Sequence, residues 1–122
     1  MHYTDIKVRE LDWYLRDHLF RQLNAGKTIF LKESLPREMS ALYLKYRGAD
    51  LQYLSCIMGI VLEALVAKNV LQQNGNELKL TDNLYRLQCS KCFYINYLAK
   101  AEPRMCQRCQ HNDLHDFPKK KA

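Results

Sequence analysis

Two cysteine pairs constrain this chain more than anything else in it: Cys89-Ser90-Lys91-Cys92 and, thirteen residues later, Cys106-Gln107-Arg108-Cys109. Two residues between paired cysteines let both sulfurs turn toward one cation while backbone amides hydrogen-bond to them, and two such pairs complete a tetrahedron. Disulfides are the structural alternative. The polar start Met1-His2-Tyr3-Thr4-Asp5 carries no secretory or transit pattern, which predicts a reducing, cytoplasmic setting where Cys-x-x-Cys pairs bind metal. One Zn2+ held by Cys89, Cys92, Cys106 and Cys109 is therefore expected. Rubredoxin-type iron knuckles place glycine after the second cysteine of each pair, whereas Phe93 and Gln110 stand there in this chain. Four thiolates leave zinc no open position, so its role is structural, and His111 and His115 are read as exposed surface residues.

Between the pairs, Phe93-Tyr94-Ile95-Asn96-Tyr97-Leu98 has strand character and residues 99–103 turn the chain back. This segment resembles a zinc ribbon over residues 89–115, followed by a basic, flexible tail over 116–122. A knuckle of this size has too small a core to stand alone. Removing the metal is expected to unfold residues 86–115 and leave much of the helical domain intact.

Upstream, Val8, Leu11, Leu15, Leu19 and Leu23 recur at helical spacing and predict an amphipathic helix over about 7–23, closed near Gly26. Thr28-Ile29-Phe30-Leu31 follows as a short strand. Ser34 is placed to cap a second helix, with Pro36 in its first turn and Met39, Leu42, Tyr43 and Tyr46 on one face up to Gly48. Asp50 caps a third helix running to about Asn69. Residues 71–80 then read as a hairpin turning through Asn74-Gly75-Asn76, with a type I′ turn expected from Asn-Gly.

Helix, strand, helix, turn, helix, hairpin is an order that resembles a winged helix-turn-helix domain over residues 6–88. The expected fold class is α+β, winged-helix-like with a hairpin wing and a C-terminal four-cysteine zinc ribbon. The combination is similar in layout to archaeal transcription factor E and the large subunit of its eukaryotic counterpart. That resemblance implies contacts with polymerase, other factors and opened promoter DNA.

Across its 122 residues the chain has a formal charge of +6. Residues 86–122 hold eight Lys/Arg against three acids, +5, which leaves +1 for residues 1–85. Zinc with four thiolates contributes −2, so the basic surface is moderate. A winged-helix third helix normally reads the major groove, but this one is apolar over most of its circumference. Leu51, Leu54, Met58, Val61 and Leu65 form one stripe; Tyr53, Ile57, Ile60, Ala64 and Ala67 nearly fill a second. Such a helix is either interior or an interface, and the interface set is Leu51, Tyr53, Leu54, Ile57, Met58, Ile60 and Val61. Cys56, on the same helix, reads as a small buried hydrophobe.

Nucleic-acid contacts are then expected from Arg37, Lys45, Arg47 and Lys79, and from Lys91, Lys100, Arg104 and Arg108 on the ribbon with Tyr94 and Tyr97 interleaved. The leading expectation is a nucleic-acid-associated regulator, transcription-related and DNA-binding. The alternative is an interaction module or accessory subunit, homodimeric in its simplest form, of a transcription, replication or mobile-element complex. Neither membrane nor small-molecule substrate is expected: the most apolar stretch, residues 53–62, falls short of the roughly 20 residues a span needs. No catalytic constellation stands out, and Asp12, Asp17 and His18 read as surface polar residues.

Overall fold

The first helix, α1 (Val8–Asn24), seats Leu11, Leu15 and Leu19 in the core at the spacing of one helical face. It ends where Gly26 takes φ +88° and the amides of Gly26 and Lys27 bond back to the carbonyls of Leu23 and Gln22. That left-handed closure needs a residue without a Cβ. A computed structural model describes residues 6–118; Lys119, Lys120 and Lys121 of the expected tail lie outside the described residues.

After α1 come β1 (Ile29–Leu31), α2 (Leu35–Leu42), α3 (Leu51–Ala67), β2 (Leu71–Asn74), β3 (Glu77–Leu80), β4 (Leu84–Cys89), β5 (Ile95–Ala99) and β6 (Leu114–Asp116). Two antiparallel three-stranded sheets result, ordered β1-β3-β2 and β5-β4-β6. The architecture is mixed α and β. No helix among the described residues is long and apolar enough to cross a membrane.

Several local expectations are corrected. Ser34 does not cap α2, because a 3-10 turn over Lys32–Ser34 runs straight into it. The second helix stops at Leu42, where Tyr43 turns extended (φ −113°, ψ 122°) and sends its hydroxyl to Asp17 at 2.6 Å; Tyr46 then enters the core from a separate turn. Asp50 does cap α3, accepting from the Tyr53 amide at 2.9 Å. In the hairpin Asn74 pairs with Glu77, so the loop is Gly75-Asn76 and Gly75 is its positive-φ residue at +63°. Glycine first makes this a II′-type turn instead of I′.

Strand β4 was not expected. It begins at Leu84, inside the stretch read as the winged-helix-like domain, and pairs with both β5 and β6. Asp116, read as the start of the tail, pairs with Leu87 in β6, and the Phe117 amide continues to the Arg86 carbonyl at 3.0 Å.

The helix buried on most sides is α1, not α3. Outside its leucine stripe Arg16 is fully buried, and Asp17 and His18 are buried too, the latter two against the expectation that they lie on the surface. Arg16 bonds Asp12 at 2.8 Å, both oxygens of Glu102 at 2.6 and 2.8 Å, and the Tyr97 carbonyl at 2.7 Å. Asp17 accepts from the hydroxyls of Tyr43 and Tyr97 and from Arg21. Trp13 donates its indole N–H to the Ile95 carbonyl at 2.7 Å. The second sheet is thus bonded to α1 through buried groups, and Leu84 and Ala99 sit in the same core as Leu15 and Leu65. These contacts run against the expected independence of residues 86–115.

In α3, Leu54, Met58, Val61, Leu62 and Leu65 are buried, so three of the interface candidates, Leu54, Met58 and Val61, are core residues. The second stripe stays open: Ile60 is 52% exposed, Ala64 and Ala67 are exposed, and Tyr53 and Ile57 are half-buried. Leu51 is exposed near the helix start. Cys56 is exposed as well, which corrects its reading as a buried hydrophobe.

Burial tends to raise the Glu102 and Asp17 carboxyls. It is outweighed at Glu102 by Arg16 and the Ala99 amide, and at Asp17 by the two tyrosine hydroxyls and Arg21, so both sit below their ordinary 4.5 and 3.8. The stability they contribute is present above those values and lost as the pH falls through and below them. Urea titrations should show that loss, and it should be shallower in Glu102→Gln. Arg16→Met should cost about 3–5 kcal/mol, with part recovered in Arg16→Met/Glu102→Leu, because the unpaired carboxylate is then gone.

Candidate metal centre and the cleft beside it

Each cysteine pair sits on a tight knuckle. At the first, the Phe93 amide bonds the Cys89 carbonyl at 3.0 Å and the Cys89 amide bonds the Tyr94 carbonyl at 3.0 Å; at the second, Gln110 and Cys106 repeat the pattern with Cys106 and His111 at 2.9 and 2.8 Å. Closing such a turn drives the residue after each pair into the left-handed region, and Phe93 (φ 64°) and Gln110 (φ 66°) adopt it although neither is glycine. The sequence departs from the glycine pattern while the backbone keeps the conformation.

The four sulfurs lie within 4.8 Å of one another, with Cys89–Cys109 at 3.5 Å and Cys92–Cys106 at 3.6 Å. A tetrahedral ion with metal–sulfur bonds of about 2.3 Å needs sulfur–sulfur edges of roughly 3.8 Å. The donor set fits one metal ion. Neither His111 nor His115 belongs to the cluster.

Electrostatics favours a cation there. Burial opposes ionisation of Cys106, but the amides of Cys109 and Arg108 and the Asn96 side chain overcome it and bring the thiol down to about 6. Cys89 is lowered too, against burial, by amides of its own knuckle. Cys92 is drawn down by the Tyr94 amide, yet burial and the three neighbouring sulfurs push it up to about 12. Four thiolates so close cannot all ionise unless a cation offsets their repulsion. Asn96, fully buried, also accepts the Gln107 amide at 2.8 Å and so ties β5 to the second knuckle. Its sequence neighbourhood announces only a strand.

The residues expected to contact nucleic acid divide sharply. Arg37, Arg47, Lys79, Lys91, Lys100 and Arg104 are exposed at scattered positions. Tyr97 is 1% exposed, its ring against Trp13 and Phe20 and its hydroxyl on Asp17, so it cannot stack on a base. Lys45, Tyr94 and Arg108 come together in one open cleft of about 420 Å³, lined also by Arg9, Glu10, Trp13 and Tyr14.

That cleft lies between α1 and the metal-binding segment. Arg9 reaches across it to the Gln107 carbonyl at 2.5 Å, Arg108 stands over the Tyr94 ring at 6.0 Å, and Lys45 pairs with Glu10 at 2.7 Å. Burial raises the Tyr94 hydroxyl, with Arg9 partly opposing, so it stays protonated. Sequence reasoning missed Arg9, Trp13 and Tyr14. A signal was present, since Arg9 and Trp13, and Glu10 and Tyr14, are spaced four apart and share a helical surface.

Metal analysis should find one ion per chain, lost in Cys106→Ser. Because α1 and β5 share buried groups, chelation should lower the temperature of one cooperative unfolding transition followed by circular dichroism; loss of the metal-binding segment alone, with α1 signal intact, is the contrary result. No family model, curated protein or solved structure matches the chain.

Proposed function

We propose that this protein is a nucleic-acid-associated regulator acting in transcription, a winged-helix-like domain joined to a structural four-cysteine zinc ribbon. The observation that carries this reading is the cleft, where Arg9, Lys45 and Arg108 meet the rings of Trp13, Tyr14 and Tyr94. Cations beside accessible aromatic rings are what a nucleic-acid strand engages, phosphates on the former and bases on the latter. The sheet order β1-β3-β2, with three helices placed before and between its strands, supports the winged-helix assignment. The similarity of layout to archaeal transcription factor E supports a place in transcription. Four cysteine sulfurs within 4.8 Å of one another support zinc, the usual occupant of such a donor set under reducing conditions. The zinc is structural, since four thiolates leave it no open position.

Contacts from the cleft rather than from α3 make a salt-dependent, weakly sequence-selective interaction. With Arg9 and Arg108 engaged and Lys45 held by Glu10, the logarithm of DNA affinity should fall against the logarithm of salt concentration with a slope of about −1.4 to −1.8, measured by fluorescence anisotropy. Absence of binding to single-stranded, duplex or bubble DNA at low salt would refute the reading.

A second reading rests on the open face of α3. Tyr53, Cys56, Ile57, Ile60, Ala64 and Ala67 carry no charge and are exposed or half-buried. An apolar helix face left open in this way, bordered by the exposed Glu63, is what a twofold contact with a second copy of this chain would cover. Sedimentation should then report a dimer that Ile60→Asp converts to monomer; a monomer at every concentration would leave the nucleic-acid reading alone.

A further inference from the structure

We infer that the cleft between α1 and the ribbon seats one unpaired nucleotide of a single-stranded nucleic acid, which rests on the nucleic-acid reading above and narrows it. The rings that would meet a base are already held. Trp13 is fixed by its bond to the Ile95 carbonyl and stands edge-on to Tyr14 at 5.1 Å, and Tyr14 is packed edge-on against Tyr43 and Tyr46 at 5.4 and 5.5 Å. Rings fixed in advance lose little freedom on binding. The cleft volume of about 420 Å³ falls within the span of small-ligand pockets, enough for a base with its sugar and phosphate.

Charge sets the orientation. Glu10 is paired with Lys45 at 2.7 Å, which leaves Arg9 and Arg108 as the positive side of the cleft and the place for phosphate. The base then lies toward Tyr94, Trp13 and Glu10. A carboxylate there accepts from the exocyclic amine of cytosine or adenine and has nothing to offer thymine at that position. Duplex DNA presents phosphates to the cations but keeps its base faces stacked inside the helix, so the aromatic wall would stay unused. An unpaired nucleotide uses both walls.

Trp13 is the single tryptophan of the chain and reports occupancy directly. With the full, zinc-loaded protein, a short oligodeoxycytidine should quench Trp13 fluorescence and bind about tenfold or more tighter than a duplex of equal length, with oligothymidine weaker than oligodeoxycytidine. Arg108→Ala, at an exposed position, and Tyr94→Ala should each lower single-strand affinity roughly tenfold, while Tyr94→Phe retains it. Metal content and circular dichroism check that each variant is folded; should Tyr94→Ala fail that check, Arg108→Ala and Tyr94→Phe decide.

Equal affinity for duplex and single strand, strand binding that leaves Trp13 unperturbed, or an Arg108→Ala variant with undiminished affinity would each overturn the inference while the broader reading stands. So would deoxycytidine monophosphate binding as tightly as the strand, which would make the cleft a mononucleotide pocket. Failure of every nucleic acid to bind at low salt removes both.

Discussion

A guanidinium can be carried into a protein interior only where carboxylates and carbonyls meet it from several directions, because an unpaired charge there costs several kcal/mol. Arg16 is met by Asp12 from its own helix, by Glu102 in two-point contact and by the Tyr97 carbonyl. Two of those partners lie more than eighty residues further along the chain. The position of the metal-binding segment against the helices depends on this arrangement, and so does the cleft, whose walls belong to the two parts that Arg16 joins.

The same feature explains where sequence patterns mislead. Apolar periodicity reports burial by hydrophobic groups, so it marks Leu11, Leu15 and Leu19 and passes over Arg16, Asp17 and His18, which are buried because they are hydrogen-bonded or paired. By periodicity alone, α1 looks half-exposed and α3 looks either interior or part of an interface. In the structure polar partners from β5 and the following turn cover α1, while the second apolar stripe of α3 keeps Ile60 open. Periodicity cannot distinguish a face covered by the chain's own fold from one left for something else.

Elements set by local chemistry were legible. Gly26 closes α1, Asp50 caps α3, and the cysteine spacing brings four sulfurs together. Features set by distant partners were not: β4 becomes a strand by pairing on both edges, α2 ends early where Tyr43 reaches for Asp17, and Tyr97 leaves the surface for the same carboxylate. Of the expected nucleic-acid residues, Lys45, Tyr94 and Arg108 converge because α1 supplies the opposite wall, which spacing along the metal-binding segment could not reveal.

The separation of 86 residues between Arg16 and Glu102 also bears on synthesis. Chains grow at about 5–20 residues per second, so Arg16 is made on the order of 4–17 s before Glu102, its two-point partner, exists. Once α3 has followed, the leucines of α1 can begin to pack against it while the flank bearing Arg16 stays in water. Helix α1 is therefore made before the elements that cover it and is among the last to reach its final surroundings.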